Sequence, residues 1–356
     1  MSAFRKLKEI VLGPSEAELS PDKFEEAAIP VSTGGCRYCS DPCDQGHEEY
    51  PDRLDIDMES QMLGSVKPYR RQAVISTGNS DWPSHIESES GSLAAYLESA
   101  ISSSPKLTVP PITPGTPSTA KKLPGVFDPL ETSRITVLNG SHHTVCDDAK
   151  ETVLVLPDYK VVAEVERTAE GAKDLYKAAL DPAVGRIGRV WDGMTVKSWI
   201  LPYSCVIMIC SHKRRDNRCG IAGPKVEHGL TIALEREGWE VHRQLDDPAD
   251  SGASLEEFKG SDEEKDADIL HHLKSLPELK RALIVQNSHI GGHKFAGNCI
   301  IYFPQGVSVW YGRASPHNVD AIVKETVIGG KVLPPLLRGG LGLSRPGHRS
   351  LNEGWH

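Results

Sequence analysis

The chain has 356 residues, more than one average domain needs and enough for two. A hydrophobic share of 38% against 25% charged residues is ordinary for a water-soluble globular protein. The net charge of −9 argues against broad nucleic-acid binding, which needs a basic surface, and against a polybasic membrane anchor; no apolar run exceeds strand size, so no membrane span is expected.

Residues 1–30 form a charged lead-in. Arg5, Lys6 and Lys8 stand there without an apolar stretch, so the segment does not read as a secretory signal. Glu9, Glu16 and Glu18 follow, and mitochondrial presequences avoid acids, so a cytoplasmic protein is expected rather than a mitochondrial one. Gly34 to Pro51 is turn-rich and holds the first of two cysteine groups. Gln72–Ser76 reads as a buried strand and Gly91–Ser102 as a helix with Leu93, Ala94, Leu97 and Ile101 on one face. A Pro/Ser/Thr-rich insert spans about 103–129. Strands follow at Arg134–Leu138, Thr152–Leu156 and Lys160–Val165, the last two joined by the turn at Pro157-Asp158, and then a helix over Ala169–Leu180.

The second half repeats that order. Ser204–Ile209 is strand-like, and Pro224–Glu237 is an amphipathic helix with proline early and Gly238 after its end. Glu240–Leu245 is a further strand, 246–266 an acidic flexible stretch, and Ala267–Leu276 a short helix. Ala282–Asn287 is a buried strand, Asn298–Phe303 and Val307–Tyr311 a hairpin, and Pro316–Val327 a helix capped by Ser315. The tail after Gly329 reads as an extended wrap or a disordered end. A β-α-β unit followed by a hairpin and a helix, seen twice, fits an α/β protein of two tandem thioredoxin-like domains, 31–195 and 196–330, with 331–356 as tail.

The eight cysteines are Cys36, Cys39, Cys43, Cys146, Cys205, Cys210, Cys219 and Cys299. In a reducing compartment they are thiols or metal ligands rather than a disulfide frame. Two segments each follow a predicted buried strand: Cys210-Ser-His-Lys-Arg-Arg-Asp-Asn-Arg-Cys219 and His289-Ile-Gly-Gly-His293. Parallel strand ends deliver such loops to one site. The spacing between Cys210 and Cys219 is wider than the usual zinc knuckle, and a wide loop suits a bulkier object such as an iron–sulfur cluster. Cys2His2 is a normal zinc set too, so structural zinc stays open. Rieske centres also use two cysteines and two histidines, but each of their ligand segments mixes one Cys with one His, unlike this chain.

The runs CSHKRRDNRCGIAGPK and NSHIGGHKFAGNCIIYFP resemble the sucrase/ferredoxin-like family, and STGNSDWPSHIE (Ser76–Glu87) is similar to the same family's first domain. The resemblance covers roughly residues 35–340. It implies a thioredoxin-like [2Fe–2S] ferredoxin domain in the second half, with a bis-histidinyl, non-Rieske cluster: Cys210 and Cys219 on one iron, His289 and His293 on the other. It implies an electron carrier rather than a stand-alone enzyme, with no catalytic residue assigned. A flavin-containing reductase would supply electrons, the cytosolic iron–sulfur assembly machinery would load the cluster, and the setting would be oxidative, metal or xenobiotic stress. Neutral imidazoles in place of thiolates make reduction easier, and their second nitrogens can couple it to protons. Lys213, Arg214, Arg215 and Arg218 form either a solvated basic loop or a docking surface for an acidic donor.

Cys36, Cys39 and Cys43 with His47 form a possible second metal or thiol site. Two other function classes therefore stand beside the electron carrier: a zinc-stabilised binding module, and a thiol–disulfide oxidoreductase using Cys36/Cys39. Cys146, Cys205 and Cys299 read as packing residues, and the pairs His142-His143 and His271-His272 as surface histidines. Some iron–sulfur proteins end in an aromatic residue read by the assembly machinery; here His356 follows Trp355, a departure from that pattern.

Overall fold

The computed structural model describes residues 21–105, 122–147 and 149–355. Most of the lead-in (1–20), the centre of the Pro/Ser/Thr-rich insert (106–121), Asp148 and His356 lie outside the described residues.

The elements in chain order are α1 (Pro21–Glu26), β1 (Arg71–Ser76), α2 (Leu93–Ser103), β2 (Val126–Phe127), β3 (Ile135–Gly140), β4 (Lys150–Leu156), β5 (Lys160–Glu166) and α3 (Ala169–Leu175, continued as a wider turn to Leu180). Then come β6 (Lys197–Ile200), β7 (Cys205–Cys210), α4 (Asn217–Arg236), β8 (Glu240–His242), α5 (Asp262–Ser275), β9 (Arg281–Asn287), β10 (Cys299–Tyr302), β11 (Ser308–Tyr311), α6 (Val319–Ala321, continued to Ile328) and β12 (Leu337–Leu341).

All strands join one mixed 12-stranded sheet in the order β2-β12-β11-β10-β7-β9-β3-β1-β4-β5-β6, with β8 against β9. In the first half β1 is parallel to β3 and antiparallel to β4, which forms a hairpin with β5. In the second half β7 is parallel to β9 and antiparallel to β10, which forms a hairpin with β11. The same connectivity therefore occurs twice. The halves meet where β3 and β9 pair antiparallel at Gly140 and Asn287. Backbone bonds from Ser141 to Gln286 (2.9 Å) and from Ser288 to Asn139 (2.9 Å) extend that seam.

Burial follows the two-residue period of the strands. Cys205, Ile207 and Ile209 of β7 face a core closed by α4, α6 and the tail, while Val206, Met208 and Cys210 face the opposite side. That opposite core is common to both halves: it combines Val74, Leu138, Leu154 and Val161 with Leu283, Val285, Ile300 and Ile269. Phe24, Ile29, Leu63 and Val126, all from the first 130 residues, pack into the core of the second half.

Several sequence expectations need correction. Pro224 is not the start of its helix; α4 begins at Asn217 with Asp216 as N-cap, and Pro224 sits inside it. The acidic stretch 246–266 holds two short 3-10 turns and the start of α5. The tail forms β12 against β11 and buries Leu343 and Leu351, so the described residues form the wrap rather than a disordered end. The edge strand β6 was not expected; it pairs with β5. His142, read as a surface residue, is fully buried, and burial pushes it down to about 4 and keeps it neutral.

Candidate metal centres

Cys210 is the last residue of β7 and lies in register with Asn287, the last residue of the parallel neighbour β9. The two motif loops therefore leave the sheet side by side, as the sequence implies. The first loop turns at once into α4. Asp216 caps that helix by accepting the Arg218 N–H at 2.9 Å, which brings Cys219 back over Cys210 in the first turn. The approach needs glycine: a Cβ on Gly223 would stand 2.8 Å from the Cys210 carbonyl oxygen. The second loop bends through Gly291 (φ +79°) and Gly292 (φ +66°), left-handed conformations that favour glycine. That bend lays the two imidazoles together, with ring centroids 5.2 Å apart.

Cys210 thus meets Cys219 and His289, and His289 lies against His293. Cys210 is held well below the usual thiol range, first by the hydrogen bond from Cys219, then by His289 and the Ile290 N–H against the opposing effect of burial. Cys219 is raised by the same bond and by burial, so the pair favours a single thiolate until a positive charge arrives. Burial pushes His293 down and keeps its imidazole neutral, the ligating form. The Nδ1 atoms of both histidines are buried and without a hydrogen-bond partner. Two thiols and two orphaned ring nitrogens on adjoining loops are donors of the kind a soft metal takes.

Residues not read from the sequence hold these loops. His212 Nδ1 accepts the His289 backbone N–H at 3.1 Å, while its Nε2–H donates to the Trp82 carbonyl at 2.8 Å. Arg338 of β12 is buried under the glycine bend. It donates to Gly291 O (3.1 Å), Asn298 Oδ1 (2.9 Å) and Ser65 Oγ (3.0 Å), and Asn298 donates to Gly292 O at 3.0 Å. Burial lowers Arg338 to about 10, against the pull of Cys210, Cys219 and Cys299. The His293 Nε2 faces Asp216 at 3.7 Å.

The basic loop is tied down as well as charged. Arg218 makes a two-bond pair with Asp216 (2.9 and 2.8 Å). Asp81 accepts the Arg214 N–H at 2.9 Å, and Ser84 Oγ donates to Arg214 O at 2.9 Å. The Ser76–Glu87 run and the Cys210–Cys219 loop are thus two sides of one contact. Lys213 and Arg214 remain exposed.

A second constellation lies elsewhere. Cys39, Cys43 and His47 gather with His317, their ligand atoms all within 4.8 Å of one another, so this Cys2His2 group could hold a metal ion. Cys36, grouped with them by spacing, lies outside; its carbonyl accepts from Asn318 Nδ2 at 2.8 Å. His317 takes its place, from the turn that opens α6, 278 residues from Cys39. Cys205 and Cys299 are buried packing residues as read. None of the eight cysteines is in a disulfide. Among the described residues no helix is long and apolar enough to cross a membrane.

Fold and sites together define a mixed α/β protein with two separate Cys/His constellations. The sucrase/ferredoxin-like family model matches residues 62–339, most of the chain, and the protein belongs to that family. Among curated relatives, altered inheritance of mitochondria protein 32 of Debaryomyces hansenii is 26% identical over 82% of this chain and 89% of its own length. Actin patches distal protein 1 of Saccharomyces cerevisiae is 24% identical over 86% of this chain and 83% of that protein. Altered inheritance of mitochondria protein 32 of Clavispora lusitaniae is 31% identical over 38% of this chain and 34% of its own length. No solved structure matches the chain.

Proposed function

We propose that the protein is an electron carrier that holds one [2Fe–2S] cluster on Cys210, Cys219, His289 and His293, in the second of two thioredoxin-like halves. The observation that carries this reading is that two loops leaving neighbouring parallel strand ends set Cys210 against Cys219 and His289, with unpartnered Nδ1 atoms on both His289 and His293. When bound, such a group supplies one-electron oxidation and reduction, at a potential raised by two neutral imidazole ligands.

The chain's own residues do the rest. His212 and Arg338 fix the backbone of the histidine loop at His289 and Gly291, so both imidazoles are positioned before the group arrives. Asp216 faces the His293 Nε2–H, orients the ring and leaves Nδ1 as the ligand atom. The buried Arg338 guanidinium offsets negative charge gathered on the sulfurs. Lys213 and Arg214 give an acidic, flavin-containing reductase a surface to dock on. The family resemblance supports a role in oxidative, metal or xenobiotic stress.

Anaerobically purified protein should be red-brown, contain about two irons and two sulfides per chain, and give a paramagnetic signal of low average g on dithionite reduction. His293→Ala should lose that signal. Colourless protein with zinc and no iron at these four residues would defeat the proposal.

A further inference from the structure

We propose that Cys39, Cys43, His47 and His317 hold one structural zinc ion, which clasps the irregular N-terminal segment 36–50 onto the start of α6.

The ligand geometry is that of a single ion. Zinc bonds of about 2.3 Å to sulfur and 2.0–2.1 Å to nitrogen, at tetrahedral angles, put sulfur and nitrogen about 3.6 Å apart. Here Cys43 Sγ lies 3.3 Å from His47 Nδ1, and Cys39 Sγ lies 3.4 Å from His317 Nδ1. With all four atoms within 4.8 Å, the group is sized for one ion and offers four protein ligands with no open position, the mark of a structural site. Two thiolates cancel the charge of Zn2+, and two neutral imidazoles add none, so the occupied centre can sit largely buried at little electrostatic cost.

The surroundings are organised for the same purpose. Each histidine turns Nδ1 to a sulfur and Nε2 to a carboxylate: His317 Nε2 lies 3.0 Å from Glu49, and His47 Nε2 lies 3.9 Å from Asp320. That carboxylate–histidine–ligand arrangement is how metal-binding imidazoles are oriented and made more basic. The Arg37 Nε–H donates to Cys39 Sγ at 3.1 Å, as cations and N–H groups do around zinc thiolates.

The ion would have mechanical work to do. Residues 36–50 contain no strand or helix, and they cover part of the apolar core of the second half through Cys36 and Tyr50. A cross-link between Cys39 and His317 closes a very long loop, which costs the unfolded chain much of its freedom. The site is distinct in residues from the proposed cluster centre and does not depend on it.

The test is metal analysis of the full-length protein purified after expression with zinc and iron supplied. Wild type is expected to carry about one zinc per chain. Cys210→Ser with Cys219→Ser should lose iron and keep that zinc, while Cys43→Ser should lose zinc. Glu49→Gln, a surface change that leaves folding intact, should weaken zinc about 10–100-fold in competition with a chelator. Limited proteolysis should cut within 36–50 only after chelation. Zinc-free wild type, iron at this site, zinc retained in full by Cys43→Ser, or unaltered affinity in Glu49→Gln would each overturn the proposal.

Discussion

The glycine bend between His289 and His293 offers a quantitative test. Gly291 and Gly292 are adjacent and both have positive φ, so alanine at either should cost about 1–2 kcal/mol of backbone strain. Their surroundings differ. A Cβ on Gly291 meets nothing closer than Arg338 Nη2 at 3.9 Å, an ordinary contact. A Cβ on Gly292 would lie 2.5 Å from that same atom and 2.6 Å from Arg338 Cζ. Arg338 cannot simply swing away, because three hydrogen bonds hold it and it is buried. Overpacking of this kind adds about 1–3 kcal/mol. Gly292→Ala should therefore destabilise by about 2–5 kcal/mol and Gly291→Ala by about 1–2 kcal/mol. Urea midpoints of the two metal-depleted variants measure the difference, and iron content after purification should follow the same order. If both variants unfold within about 0.5 kcal/mol of each other, Arg338 does not clamp the loop as described.

Three further outcomes are expected. Asp57 accepts from the Ser60 N–H at 2.8 Å and pairs with Lys294 at 2.9 Å; Ser60 first and then Lys294 hold it well below the usual carboxylate range. Its stabilisation is present above the unfolded value near pH 4 and is lost as pH falls, so Asp57→Asn should flatten the acid limb of a stability–pH curve measured by urea midpoints. Lys160 is fully buried and lowered to about 8 by desolvation. Between about pH 8 and the free-lysine value near 10.4 the unfolded chain binds more protons, so stability should rise with pH there; Lys160→Met should abolish that rise. His212→Ala removes the acceptor for the His289 N–H and the donor to Trp82 O, two neutral hydrogen bonds of about 1 kcal/mol each. It should lower iron retention on gel filtration without altering the ligand set seen by paramagnetic resonance.

The main strands and helices, and the meeting of the two motif loops, were legible because they rest on local signals. A buried apolar run such as Cys205–Cys210 announces a strand, and two such runs with a helix between them place their ends together. The start of α4 was misread because Gly223-Pro224 looks like a helix opening, whereas the true signal is Asp216 as N-cap. Glycines 220 and 223 serve close approach to the motif loop, a tertiary requirement that one-dimensional pattern does not carry. His317 escaped for the same reason: 278 residues separate it from Cys39, and only folding makes them neighbours. Arg338 sits in a glycine-rich tail that offers no amphipathic period, yet its side chain braces the histidine loop. The edge strand β6 is four residues long, and so brief a run is easily lost beside turn-rich sequence.

Phe24, Leu63 and Val126 belong to the beginning of the chain, but the core they enter is built from β7, α4, α6 and residues beyond 330. A ribosome makes these parts in the wrong order. At about 5–20 residues per second, roughly 14–55 s pass between the emergence of Leu63 and of its late partners near Leu337. During that interval the early apolar side chains have no place to go. The first half can close its own sheet, but the segments flanking it stay as uncovered ends until synthesis is nearly finished. The nascent protein is therefore most in need of a chaperone while its second half is being translated.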